Sequence, residues 1–235
     1  FYELTGATAV TLTDNSILVF AFDAPRGKIF YLNVDPEEAA DNLSVDRFGA
    51  GFGSGPWLFG GISDISVDKW GNIAITEDLN NRVHLFQYNE GQISWVDNDD
   101  WDLGLDTPMG ICIAEMNDPN TENDNLIFIG DSKNDRILAV NFDGEIVGEY
   151  SEENAPDALH YPCDIEWMAD AAQNSEILYI NDNGNQRTVK LQGPINNLAY
   201  EYSVINSSLS PTPSGLAIDA NNHVYVTDAY CDALF

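Results

Sequence analysis

The chain has 235 residues, with nine Lys and Arg against 39 Asp and Glu, a formal net charge of −30. That balance excludes phosphate-driven binding of nucleic acid, which needs clustered cations, and docking on an anionic membrane surface. At 44% hydrophobic and 11% aromatic the chain is too apolar for an acidic disordered tail, and no apolar run approaches the ~18 residues of a membrane span.

The acid is mostly Asp, 25 residues against 14 Glu, alongside 24 Asn. Asp and Asn are turn formers, because they tolerate unusual backbone angles and bond their own backbone. Much of the charge is therefore expected in tight turns. A solvated acidic surface of this kind suits a secreted or cell-surface setting. The chain begins at Phe1 rather than Met, which reads as the loss of a signal peptide or a larger N-terminal piece. Cys112, Cys163 and Cys231 are odd in number and contain no CxxC. The simplest reading is buried thiols, with a Cys163–Cys231 disulfide open.

In chain order, one plan recurs. Residues 10–32 read VTLTDNSILVFAFDAPRGKIFYL, and residues 64–86 read DISVDKWGNIAITEDLNNRVHLF. Residues 110–140, 164–191 and 215–235 repeat it, with a longer first loop in the first of these. Each copy has a short apolar strand, a polar turn, a second strand (NIAIT, LIFIG, ILYIN, HVYVT), an acidic turn and a third strand. Candidate fourth strands follow at 43–48, 93–96, 146–150 and 199–205. Strands of this length separated by Asp/Asn turns, with no helical period, predict antiparallel sheet.

A four-stranded unit of about 50 residues cannot bury both faces alone, and radial packing of such units gives a β-propeller. The expected fold is therefore all-β, one β-propeller domain over 1–235 built from four-stranded antiparallel blades, with five repeats. The last copy lacks a fourth strand. The N-terminal FYELT could supply it and close a five-bladed ring; the competing reading is a fragment of a six-bladed one.

The pattern Asp68, Gly71, Asn72, Ile73, Thr76, Asn80, Asn81, Arg82, Val83, Phe86 resembles the NHL-repeat family of β-propellers, and weaker copies extend the resemblance over most of the chain. The family implies the fold but not one function, since it spans lyases, sensors, RNA-binding modules and secreted scaffolds. In the amidating-lyase relatives zinc is held by histidines just before the first strand of a blade. The matching positions here are Ser63, Met109, Cys163 and Ser214, so the resemblance disfavours zinc and that chemistry. Lactonase-like propellers share the ring and use a central calcium.

Among candidate sites, the recurring acids Asp23, Glu77, Asp131, Asp182 and Asp228, with Arg82, Arg136 and Arg187 five residues after theirs, read as turn-stabilising ion pairs. Asp64 and Asp164 begin first strands where other copies have Gly110 and Gly215. They are the candidate ligands for a hard cation such as Ca2+. Trp57, Trp101, His160 and Tyr161 precede first strands and are expected to gather on one face as a ligand-binding surface. The acidic loops 97–102 and 117–125 lack the calcium-loop spacing. The glycine-rich segment 49–55 is expected to be a flexible loop, and it lacks the features of a phosphate cradle.

These readings converge on an extracellular binding or assembly module for protein, peptide or glycan, stabilised by Ca2+, with self-assembly through the N-terminal strand as a variant. The alternative is a metal-dependent propeller enzyme, a lyase or lactonase-like hydrolase.

Overall fold

The structure is a computed structural model that describes residues 4–37, 44–55, 57–96, 101–115, 125–151, 158–170, 175–193, 201–206, 212–219, 221–228 and 233–234. It is all-β and propeller-like, with four four-stranded antiparallel blades. The first sheet is β1 (Gly6–Thr11), β2 (Ile17–Asp23), β3 (Lys28–Val34) and β4 (Asp46–Phe48). A short parallel pair follows, β5 (Gly51–Phe52) and β6 (Leu58–Phe59). The second sheet is β7 (Ile62–Val67), β8 (Asn72–Glu77), β9 (Arg82–Asn89) and β10 (Gln92–Val96). The third is β11 (Pro108–Ala114), β12 (Leu126–Asp131), β13 (Arg136–Val140) and β14 (Ile146–Tyr150). The fourth is β15 (Pro162–Asp170), β16 (Ser175–Asp182), β17 (Arg187–Gly193) and β18 (Glu201–Asn206). A three-stranded sheet, β19 (Pro213–Ile218), β20 (Val224–Asp228) and β21 (Ala233–Leu234), ends the chain. Within each sheet strands pair in sequence order, the short-loop meander that the Asp/Asn turns predict.

The chain divides into two compact units, Phe1–Thr107 and Pro108–Phe235. In the first, Leu18, Phe20, Phe22 and Ile29 of the first sheet share a core with Ile62, Ile65, Ile73, Ile75 and Phe86 of the second. In the second, Phe128, Ile137 and Tyr150 of the third sheet share a core with Ile165, Leu178, Ile180, Val189 and Leu191 of the fourth. Each fully buried Phe or Ile contributes about 1.5–3 kcal/mol over its exposed state. Leading strands run beside one another, β1 with β7 in the first unit and β11, β15, β19 in succession in the second. Gly110 is required there: a Cβ would sit 2.6 Å from the Asp164 Cα. A copy with Asp at that position and a copy with Gly thus fit as neighbours.

The recurring acids are buried. Asp23, Glu77, Asp131 and Asp182 are 0% exposed and Asp228 is 3% exposed. Arg82 Nε meets Glu77 Oε1 at 2.8 Å, Arg136 Nε meets Asp131 Oδ2 at 2.7 Å and Arg187 Nε meets Asp182 Oδ2 at 2.6 Å, each within one sheet. In the first sheet Arg26, three residues on, pairs with Asp23 at 2.8 Å. A residue in the left-handed region precedes each later Arg: Asn81, Asp135 and Gln186, with φ of 53°, 54° and 56°. The second carboxylate oxygen reaches the chain entering the same sheet. Glu77 accepts the Gly60 N–H and Asp182 accepts the His160 N–H, while Asp228 accepts from Thr212 through its N–H and hydroxyl. Glu77, Asp182 and Asp228 are thus buckles joining the turn after the second strand to the loop before the first.

One expectation differs from the outcome. Segment 49–55 carries β5, and its Gly53 and Ser54 carbonyls accept from Asn80 and Arg82, so the second sheet's buckle holds it in place. Thr5 donates its N–H to Phe22 O at 2.8 Å, so Leu4 and Thr5 lead into β1; Phe1–Glu3 lie outside the described residues. Removing a buckle acid leaves a buried guanidinium and a backbone N–H without their acceptor. Asp182→Ala is therefore expected to lower the unfolding free energy by about 3–5 kcal/mol in urea titration, whereas exposed Glu145→Ala changes it by under ~0.5 kcal/mol.

Candidate functional site

The second, third, fourth and terminal sheets open with a one-residue irregularity. The ladder steps from Ile62 to Asp64 against Glu77 and Thr76, and from Pro162 to Asp164 against Asp182 and Asn181. It does the same between Pro213 and Gly215, and between Pro108 and Ile111. The extra residues are Ser63, Cys163, Ser214 and Met109. Bulges re-aim side chains at sheet ends, which gives these positions their common character. Cys163 Sγ–H donates to Pro213 O at 3.3 Å and Ser214 Oγ meets Thr227 Oγ1 at 3.1 Å. Cys112 is buried, and Cys231 lies outside the described residues.

At the start of β15 the second unit gathers polar groups. Asp135 Oδ1 accepts the Tyr161 N–H at 2.8 Å and lies 3.1 Å from His160 Nδ1. The His160 backbone is pinned as well, its N–H on Asp182 and its carbonyl accepting Gly184 N–H. The imidazole is 62% exposed, so the pair is a held histidine open to solvent. In the first unit the matching contact is Thr107 N–H on Asn81 Oδ1 at 2.9 Å. The left-handed turn residue therefore also captures the segment entering the next sheet.

Asp164 accepts the Ile165 N–H through Oδ1 at 2.8 Å and the Leu216 N–H through Oδ2 at 2.5 Å. It staples the fourth sheet to the terminal one. Asp64 accepts the Ile65 N–H in the same way. Glu166, two residues on, lies on the Asp164 face of β15. Burial pushes the Asp164 carboxyl up to about 6 against the opposing Leu216 and Ile165 N–H groups, and burial with the Asp164 charge pushes Glu166 up to about 8. Asn181, directly across from Asp164 and fully buried, accepts from Thr188 at 2.8 Å. Among the described residues no three His, Cys, Asp or Glu side chains are grouped to hold a metal ion, and the bonds of Asp164 tie it to the backbone.

Trp57 packs in the first unit with Phe48, Phe86 and Trp95, at ring distances of 6.4, 5.3 and 5.7 Å. Trp101 is half-buried ahead of β11. The structure thus brings His160 and Tyr161 together at Asp135, while Trp57 stands among core rings. The acidic stretches 97–100 and 116–124 lie outside the described residues.

A second surface was not singled out from sequence. The face of the first sheet turned away from its core pairs Ala7 with Ala21, Ala9 with Val19, Val19 with Leu32 and Ala21 with Phe30. A groove of about 410 Å³ runs over it, with Leu4 and Val45 on its walls. Leu4 is 60% and Val45 65% exposed. The signal was present: ILVFAF is apolar at both alternations, the pattern of a strand covered on two sides.

No family model and no curated protein matches the chain. Solved structures do match. A functionally unknown protein from Desulfotomaculum acetoxidans DSM 771 aligns at 12% identity and TM-score 0.53, over 100% of this chain and 68% of its own. A protein from Lactobacillus plantarum aligns at 13% and 0.56, over 92% and 62%. A protein from Bacteroides uniformis ATCC 8492, inferred to be a 6-phosphogluconolactonase, aligns at 11% and 0.52, over 97% and 69%. The chain thus spans less than two thirds of the Lactobacillus plantarum protein. At such identities the likeness shows the fold alone, and that fold is a β-propeller.

The carboxyls on β15 set a pH dependence. Both are raised above the ordinary values of 3.8 and 4.5, so the folded state binds more protons than the unfolded one between about pH 4 and 8. Their contribution to stability is fully present below that window and is lost as pH rises through it. The thermal midpoint is expected to fall by several degrees between about pH 5 and 8. Glu166→Gln should flatten that slope relative to the parent chain; an unchanged slope contradicts the assignment.

Proposed function

We propose that the chain is an extracellular binding and assembly module on a β-propeller of NHL-like repeats, with the three-stranded sheet as its fifth blade. The NHL reading is supported by the repeated buckle, whose Glu77-x-x-Asn80-Asn81-Arg82 and Asp182-x-x-Asn185-Gln186-Arg187 segments make the same bonds. The extracellular reading is supported by the charge of −30.

The observation that carries the binding function is the apolar groove on the first sheet. A chain of this charge that leaves Leu4, Val45 and a register of Val, Ala, Phe and Leu open to solvent presents a contact surface. The lining favours a protein or peptide ligand over a glycan, because few polar groups converge there. Nile red, an uncharged probe, is expected to fluoresce on the native chain and to lose most of that signal in Leu32→Glu. Equal signals from the two proteins would remove the groove from the account.

A hydrolase is the second reading, favoured by the Bacteroides uniformis neighbour and by the held His160–Asp135 pair, which has the geometry of a carboxylate-oriented base. Six of the nine cations are engaged within the protein, which leaves few for a phosphorylated substrate. Arg26, Arg82, Arg136 and Arg187 serve buried acids, Lys28 donates to Gly49 O, and Lys69 lies over the Trp70 ring. Added protein is expected to leave the hydrolysis of 6-phosphogluconolactone at its spontaneous rate; an acceleration lost in His160→Gln would establish the hydrolase instead.

A further inference from the structure

We infer that the outer edge of the third sheet, β14, takes up an extended cationic peptide as an added strand. The inference does not rest on the groove, which belongs to the other compact unit, and it assigns a second contact surface with a different partner chemistry. Leading strands lie beside one another, β11 with β15 and β15 with β19, and β14 is the edge of the third sheet opposite β11. Among the described residues no strand pairs with β14 on the side away from β13. Alternate backbone N–H and C=O groups of β14 therefore point away from the ladder.

This edge is built unlike the corresponding edge of the second sheet, where β10 turns Ile93 and Trp95 onto the core. Ile146 and Val147 are neighbours in sequence, yet both are exposed, at 47% and 51%. The ladder steps from Val140 opposite Ile146 to Ala139 opposite Gly148, so Val147 is an extra residue. The bulge leaves both side chains in solvent. Gly148 follows, buried and without a side chain. Beside it a cavity of about 10 Å³ opens among Phe128, Ile137, Tyr150 and Leu178. A glycine within a strand admits another backbone at close range. An incoming strand thus meets an apolar pair and an apolar recess along one edge.

Charge identifies the partner. Asp143 and Glu145 are exposed just before the strand, and Glu149 lies past the glycine. Asn141 holds this turn. Its Oδ1 accepts the Asp143 and Glu145 N–H groups at 3.1 and 2.9 Å, and its Nδ2 donates to Glu145 Oε2 at 2.9 Å. Glu145 is thus in place before a ligand arrives. Arg136 Nη1 reaches Glu149 at 3.2 Å, while its Nε is taken by Asp131 at 2.7 Å. Acids along an open edge repel a second acidic strand, so a copy of this chain, at −30, is disfavoured as the occupant. The same acids attract a strand that alternates Lys or Arg with apolar residues, and main-chain bonds supply the affinity.

The test uses the full chain and a fluorescein-labelled peptide alternating Lys and Val, in about 0.15 M NaCl. Anisotropy is expected to show saturable binding, and the β14 amides to exchange more slowly in the complex. The same peptide N-methylated at alternate residues keeps its charge but loses the donors that pair strands. It should bind at least about tenfold more weakly, as should the unmodified peptide to Val147→Lys. That variant changes a surface position, so circular dichroism and thermal midpoint should stay parental. Leu32→Glu, which alters only the groove of the first sheet, should bind the peptide like the parent. Absence of binding overturns the inference. Equal binding of the N-methylated peptide does so too, because charge alone would then hold it. Binding lost in Leu32→Glu would move the peptide to the groove, which upholds the proposed binding role and overturns strand addition at β14.

Discussion

The fold depends on burying one carboxylate per sheet. A buried charge is costly unless it is paired and hydrogen-bonded. In the second and fourth sheets a guanidinium, an asparagine amide and a backbone N–H together satisfy it. Glu77 shows the balance: burial raises its carboxyl, yet His84, the Gly60 N–H and Arg82 hold it below the ordinary range. Because the partners come from three chain segments, the acid can be buried only when the turn, the third strand and the incoming loop are all in place. This makes each sheet a cooperative unit, and it uses cations that a phosphate-binding surface would otherwise present.

The buckle also positions the polar cluster of the second unit. Asp182 fixes the His160 backbone, the left-handed residue Asp135 takes the ring, and the bulge at Cys163 turns the chain so that Asp164 reaches Leu216. The raised Asp164 and Glu166 carboxyls are a consequence of stapling two sheets through a leading strand. Any chemistry at Asp164 would draw on a group that already holds the structure.

Much of the fold was legible in the sequence, since strand existence followed from alternation and the Asp/Asn turns. The fourth-strand segments 93–96 and 146–150 coincide with β10 and β14, and the acid–Arg spacing of five read as an ion pair, within a blade or between neighbours, which the structure places within one sheet. The exceptions have physical reasons. Segment 49–55 reads as a loop from its glycines, yet carbonyls accepting from Asn80 and Arg82 order it, a long-range contact that composition does not carry. Glu166 was overlooked although strand alternation places it beside Asp164. Asp135 was overlooked because its role comes from a positive φ, and the same slot holds Asn81 and Gln186. The groove face was hidden because ILVFAF reads as a doubly covered strand, and only the structure shows which cover is missing.

Backbone hydrogen exchange at single-residue resolution tests the central claim most directly. Gly60, His160 and Gly184 sit in turns or loops outside the ladders, yet their N–H groups are donated to Glu77, Asp182 and the His160 carbonyl. If the buckles organise the sheets, these three amides exchange as slowly as those of β8 and β16 and share their opening free energy. Exchange at the rate of an open loop, with β8 and β16 still protected, would show that the sheets hold without the buckles.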